Sequence, residues 1–82
     1  MKRITTESGA VYLYDDYRDQ VMRADGSPYS GGINYEVRPD GVWHVLASTP
    51  DIEVGWSIEM DFVDGAYRVT TPVVSIEDVE EV

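Results

Sequence analysis

The segment DDYRD places Asp15, Asp16 and Asp19 close together in one short polar loop. Carboxylate oxygens are the ligands that Ca²⁺ prefers, so these side chains have the right chemistry for a hard cation. Their spacing does not follow the D-x-D-x-D-G pattern, and no glutamate stands at the twelfth position. We therefore expect a solvated turn in which the aspartates accept hydrogen bonds from nearby backbone amides, and we predict no metal and no cofactor.

Nucleophilic catalysis would depend on His44, the single histidine of the chain. A hydrolase triad needs a nucleophile, a base and an orienting group within hydrogen-bond reach. Glu36 could orient His44 across a strand pair, but no serine is placed opposite and the chain has no cysteine. Gly31 and Gly32 are not followed by the lysine of a phosphate-binding loop. We therefore predict that the protein is not an enzyme.

Glu59 and Asp61 raise a different possibility, because they alternate with apolar residues along one predicted strand. Alternate residues on a strand face lie roughly 6.5–7 Å apart, a spacing close to that of successive phosphates along a nucleic-acid strand. One interpretation is therefore a row of carboxylates that imitates nucleic acid. The other is the solvated face of an antiparallel sheet, with Arg68 pairing with Asp61 and interrupting the row.

The overall charge restricts the classes of partner that the chain can bind. Sequence composition gives 16 acidic and 6 basic residues, a formal net charge of −10 and a pI near 4.1. Such a surface repels nucleic acid and anionic lipid, so we predict no direct nucleic-acid binding and no membrane association. Its electrostatic field favours a basic protein partner.

Length and residue types predict one domain. A chain of 82 residues cannot fill two hydrophobic cores, so residues 1–82 are expected to form a single unit, with residues 77–82 as an acidic tail. The absence of cysteine excludes disulfides and zinc–thiolate sites and fits a reducing compartment. The segment MKRITTESGA lacks the apolar stretch that a secretion signal contains. No run of about 18 apolar residues, as a membrane span would need, occurs in the sequence. We therefore expect a cytoplasmic protein.

The elements that must position these groups are short strands, since no segment has a convincing helical period. Asp64-Gly65 predicts a hairpin with a two-residue type I′ loop. Such a loop sets apolar pairs on one face: Phe62–Tyr67, Met60–Val69 and Ile58–Thr71. The other face then carries Asp61 beside Arg68 and Glu59 beside Thr70.

Arg38-Pro39-Asp40-Gly41-Val42 predicts a second hairpin, because proline presets φ and glycine accepts the left-handed position. Counting outward from this turn pairs apolar residues on one face: Val37–Trp43, Tyr35–Val45 and Ile33–Ala47. The opposite face pairs Glu36 with His44. Further strands are predicted over residues 4–6, 10–14, 20–24 and 73–76. Together these elements predict an all-β fold, either a small antiparallel barrel of the SH3-like kind or a compact sandwich.

The tyrosines are candidates for a partner-binding surface. Tyr12 and Tyr14 share one face of their predicted strand, and Tyr17 and Tyr29 lie in predicted loops. Exposed tyrosines with a polar rim are typical of interaction surfaces. Two interpretations stay open for the strand pair, since a small fold either presents Tyr12 and Tyr14 to a partner or buries both faces of that strand.

Three stretches carry a resemblance to a known group of proteins: ITTESGAVY (residues 4–12), the segment Val54 to Phe62, and TTPVVSIE (residues 70–77). They resemble small proteins encoded by tailed phages of actinobacteria, which often begin with Thr-Thr-x-Ser-Gly-x-x-Tyr and end with Thr-x-Pro-Val-Val. The resemblance implies a phage or prophage origin and a site of action in the cytoplasm of an infected bacterium. It implies no catalytic residue.

Taken together, these patterns predict a non-catalytic acidic protein that binds a host or phage protein. The predicted contact residues are Tyr12, Tyr14, Tyr17, Tyr29, Glu59 and Asp61. One version is an inhibitor of a nucleic-acid-binding protein that acts by charge mimicry. The alternative is a structural or assembly protein that forms homo-oligomers through sheet edges or a tyrosine face.

Overall fold

The computed structural model describes residues 1–24 and 41–79. Within these ranges the chain forms strands and no helix, which confirms the predicted all-β class. The strands are β1 (Lys2–Thr6), β2 (Val11–Asp15), β3 (Gln20–Arg23), β4 (His44–Val45), β5 (Glu59–Asp61), β6 (Tyr67–Val69) and β7 (Val73–Asp78). Glu77 and Asp78, predicted as part of an acidic tail, belong to β7, where they pair with Arg3 and Lys2 of β1.

The strands form two antiparallel sheets. One sheet has the order β4-β3-β2-β1-β7, and β5 and β6 form the other. A bridge between Leu46 and Phe62 connects the sheets on one side. On the other side the Gly55 amide donates to the Val73 carbonyl at 2.8 Å, and the Val73 amide donates to the Trp56 carbonyl at 2.9 Å.

Within the described residues the two sheets do not close into a barrel, so the barrel form of the prediction is wrong there, while the all-β class holds. Pro72 has no amide hydrogen and separates β6 from β7 in the chain. The strand that follows it adds to β1 and does not continue the β5–β6 sheet. In the part of the chain that the structure describes, the fold is therefore a pair of sheets joined near Leu46 and near Val73.

The hydrophobic core is built from inward-facing residues of both sheets. Strand alternation supplies most of them, because successive side chains point to opposite faces. The buried apolar residues are Ile4, Ala10, Tyr12, Tyr14, Val21, Leu46, Ile58, Met60, Phe62 and Val73. The predicted inward set of Ile58, Met60 and Phe62 is therefore confirmed.

The turn between β5 and β6 contains a three-residue loop, residues 63–65, which lies between the hydrogen-bonded residues Phe62 and Ala66. The Gly65 amide donates to the Phe62 carbonyl at 2.9 Å, and the Phe62 amide donates to the Ala66 carbonyl at 2.9 Å. Gly65 has a φ of +90°, as expected for a turn that ends in a glycine bulge. The loop of residues 7–9 between β1 and β2 has the same pattern of bonds.

The predicted register of this hairpin is wrong by one residue. The observed pairs are Glu59–Val69, Met60–Arg68 and Asp61–Tyr67. A type I′ turn would need a positive φ at Asp64, yet within the described ranges Asp19 is the only non-glycine residue with one. The extra loop residue exchanges the faces of β6, so Arg68 and Thr70 are buried and Tyr67 is only half-buried.

The apolar face predicted around β4 is also inverted. Leu46 is buried, whereas Trp43 and Val45 are 36% and 47% exposed. The Val45 carbonyl accepts from the Val63 amide at 3.2 Å, and the Ala47 amide donates to the Asp61 carbonyl at 2.7 Å. These bonds join the segment to the end of β5, and the predicted pairs with residues 33, 35 and 37 lie outside the described residues. Residues 33–40, including Glu36, lie outside the described residues.

Replacing Gly65 tests whether its backbone conformation sets the hairpin register. Gly65→Ala is expected to lower the free energy of unfolding by about 1–2 kcal/mol, because a Cβ penalises positive φ. The cost is conformational, since an added Cβ at this position meets nothing within 4 Å. Urea denaturation monitored by tryptophan fluorescence measures the loss. Gly65→Asn is the matched control. Its free energy of unfolding should fall less, because asparagine tolerates positive φ better than alanine does. An equal loss in both variants would contradict the role given to the positive φ of Gly65.

Candidate functional site

An open groove of about 380 Å³ lies against the outer face of the two-stranded sheet. The carboxylates of Asp51, Glu59 and Asp61 line it, together with the indole of Trp56 and the side chain of Val69. Ser48, Thr49, Pro50 and Ser57 complete the lining. The groove thus combines carboxylates, hydroxyls and an apolar surface.

Strand alternation in β5 positions the two central carboxylates. Met60 is buried at 2% exposure, so its neighbours Glu59 and Asp61 project from the opposite face and are exposed. This arrangement confirms the predicted outward direction of both acids. Val69 is the register partner of Glu59 on β6 and contributes apolar surface beside it.

Trp56 is held by its backbone and leaves its side chain accessible. Its amide donates to the Glu53 carbonyl at 3.1 Å, and its carbonyl accepts from the Val73 amide at 2.9 Å. The side chain is 55% exposed. We did not predict a role for Trp56 from the sequence, although a large apolar side chain just before a strand with outward acids was an available signal.

The loop that forms the far wall of the groove is tied to the end of β2. The Thr49 hydroxyl donates to one carboxylate oxygen of Asp19 at 3.2 Å, and the Tyr14 hydroxyl donates to the other at 2.7 Å. Burial raises the pKa of the Tyr14 phenol well above its usual range, and the adjacent Asp19 carboxylate raises that pKa further. Tyr14 therefore stays protonated and holds the loop through Asp19.

The groove carboxylates are not neutralised by the basic residues of the described ranges. Lys2 pairs with Asp78 at 2.8 Å, Arg3 with Glu77 at 2.8 Å and Arg18 with Asp15 at 3.1 Å, all outside the groove. The predicted pair between Arg68 and Asp61 is wrong, because the bulged turn directs Arg68 to the inner face. The row formed by Glu59 and Asp61 is therefore uninterrupted.

The predicted tyrosine surface is not assembled. Tyr12 and Tyr14 are only 1% and 5% exposed, so their predicted role in partner contact is wrong for the folded chain. The reason is topological, because β2 lies inside the five-stranded sheet and turns this face toward the core. Tyr17 is 89% exposed but does not line the groove, and Tyr29 lies outside the described residues.

Of the three aspartates in the β2–β3 turn, Asp15 accepts from backbone amides, as predicted, whereas Asp19 accepts from side-chain hydroxyls. One oxygen of the Asp15 carboxylate accepts from the amides of Tyr17 and Arg18, both at 3.1 Å. Burial opposes ionisation of Asp15, but these bonds and the Arg18 guanidinium outweigh it and hold its pKa below the usual range. Among residues 1–24 and 41–79, no group of three or more His, Cys, Asp or Glu side chains is arranged to hold a metal ion.

Comparison of the chain with protein-family models, with curated proteins and with solved structures finds no match. In the part of the chain that the structure describes, no helix is long and apolar enough to cross a membrane. The groove is therefore interpreted from its own geometry and charge.

The Asp15 network predicts a specific acid sensitivity. Because the folded-state pKa of Asp15 lies below its unfolded value, its contribution is present at neutral pH and is lost as the pH falls through the folded-state pKa. Asp15→Asn is expected to lower Tm at pH 7 and to flatten the fall of Tm below about pH 4. Thermal unfolding followed by circular dichroism between acid and neutral pH measures both effects. Asp16→Asn is the control in the same turn, and an equal loss of Tm at pH 7 in that variant would contradict the role given to Asp15.

Proposed function

We propose that the protein is a non-catalytic binding protein that holds a basic segment of a protein partner in the acidic groove. The observation that carries this proposal is the position of Glu59 and Asp61 beside the half-exposed indole of Trp56. Neither carboxylate makes an ion pair with any residue of the described ranges.

The groove has the chemistry to recognise a lysine or arginine side chain. The aliphatic stem of such a residue packs on apolar surface of the kind that Trp56 and Val69 provide, and its charged end reaches the carboxylates. A cation over an exposed indole gains about 0.5–1 kcal/mol beyond the ion pairs. The net charge of −10 adds long-range attraction, which accelerates association with a basic partner.

Charge mimicry is the version of this proposal that the resemblance to actinobacterial phage proteins favours. Glu59 and Asp61 share one strand face at roughly 6.5–7 Å, close to the separation of successive phosphates. The partner in this version is a nucleic-acid-binding protein of the infected host, and the site of action is the host cytoplasm. Such a partner would be displaced from nucleic acid when it occupies the groove.

A fluorescence titration with a lysine-rich peptide tests the groove. Trp43→Phe leaves Trp56 as the only tryptophan, so its emission reports occupation of the groove. We expect a saturable change that weakens with added salt. Glu59→Gln with Asp61→Asn should weaken binding about tenfold, because two ion pairs of about 0.5–1 kcal/mol each are lost.

The matched control removes the same amount of charge away from the groove. Glu7→Gln with Asp16→Asn changes the net charge equally, but neither residue lines the groove. This control should bind the peptide nearly as well as the parent. If both double variants weaken binding to the same degree, the groove has no specific role and only total charge matters.

The alternative of self-assembly is favoured by a separate observation at the edge of β7. β7 pairs with β1 on one side, and within the described ranges no strand pairs with its other side. Val74 and Val54 are 50% and 61% exposed, on either side of the hydrogen-bonded pair of Val73 and Gly55. Beyond Val73, whose backbone bonds to Gly55 and Trp56, this edge has no strand partner in the described ranges, and such an edge with apolar side chains is a template for pairing with a second copy.

Light scattering over a range of concentrations tests this alternative. If assembly occurs through β7, the parent protein forms a dimer or larger oligomer, and Val74→Lys restores the monomer by placing charge on the edge. Val63→Lys is the control, because Val63 is similarly exposed at 64% but lies in the β5–β6 loop. A parent protein that stays monomeric at high concentration rules the alternative out.

A further inference from the structure

A small cavity on the inner side of the β5–β6 hairpin is lined by residues of both sheets. Its volume is about 10 Å³, which is room for one water-sized body. Tyr12, Arg23 and His44 contribute to it from the five-stranded sheet, and Met60 and Arg68 contribute from the hairpin. Among the described residues that line this cavity there is no carboxylate. Arg23 and Arg68 contribute two basic side chains to this lining, in a protein whose net charge is −10.

Two hydrogen-bond donors of this lining lack an acceptor. Tyr12 is 1% exposed, and its hydroxyl has no hydrogen-bond partner among the described residues. Arg68 is 9% exposed and makes no ion pair or side-chain hydrogen bond within those ranges. Buried polar groups are normally hydrogen-bonded, and buried charges are normally paired. The Tyr12 hydroxyl therefore requires an acceptor, and the guanidinium of Arg68, which lines the same cavity, favours an acceptor that carries a negative charge.

We propose that this cavity binds one chloride ion, with the Arg68 guanidinium and the Tyr12 hydroxyl as donors. A monatomic halide is only somewhat larger than a water molecule and is the class of anion closest in size to this space, whereas a phosphate or a sulfate is too large for it. A water molecule would accept the same hydrogen bonds but would leave the charge of Arg68 uncompensated. The bound ion would hold β6 against β2 and so connect the two sheets.

Thermal unfolding at constant ionic strength tests the site in the intact protein. Sodium gluconate is replaced stepwise by sodium chloride, so that screening of the acidic surface stays the same while chloride increases. We expect Tm to rise with chloride by at least about 4 °C and then to saturate, as for a ligand that binds only the folded state. The line width of the ³⁵Cl resonance provides a direct measurement of binding by the parent protein, which should broaden the chloride signal.

Two variants assign the effect to this cavity. Arg68→Met removes the charge and keeps an apolar side chain of similar length, so it is expected to fold and to lose both the chloride dependence of Tm and the ³⁵Cl broadening. Tyr12→Phe, which removes one donor, should weaken the chloride dependence of Tm. Arg3→Met is the control, because Arg3 is half-exposed and paired with Glu77, and it should retain the parent response. The proposal is overturned if the parent shows no chloride dependence, or if Arg68→Met keeps it.

Discussion

The positive φ of Gly65 is the constraint on which the functional surfaces of this fold depend. It allows a three-residue loop between β5 and β6, and that loop sets the register in which Met60 faces Arg68. Because side chains alternate along a strand, a shift of one residue would turn every side chain of β6 to the other face of the hairpin. The turn therefore decides which charges meet water and which meet the core.

As a result, the hairpin separates charges of opposite sign on its two faces. Glu59 and Asp61 project into the open groove, where water screens the electrostatic repulsion between the two carboxylates. Arg68 lies on the buried face, where an uncompensated charge is costly. The same strand pair thus carries carboxylates on its outer face and a guanidinium on its inner face, and no ion pair joins them.

Tyr14 supports the wall of the groove from within and does not line it. Tyr14 is buried in the core, yet its hydroxyl bonds to Asp19, which in turn accepts from Thr49 in the wall of the groove. This chain of hydrogen bonds links the packing of β2 to the position of the loop that precedes β5. Aromatic residues that resemble contact residues in the sequence are here part of the scaffold that positions acidic contacts.

Sequence patterns alone indicated most of the described strands, a turn at Gly65 and the outward direction of Glu59 and Asp61, because these features depend on local backbone preferences and a two-residue period. Only the tertiary structure decided the register of β6 on β5 and the side of β4 that faces inward. It also decided the burial of Tyr12 and Tyr14 and the open arrangement of the described sheets. Each of these depends on which distant strand covers a given face. Alternation identifies two faces of a strand, but only the neighbouring sheet determines which face becomes the core.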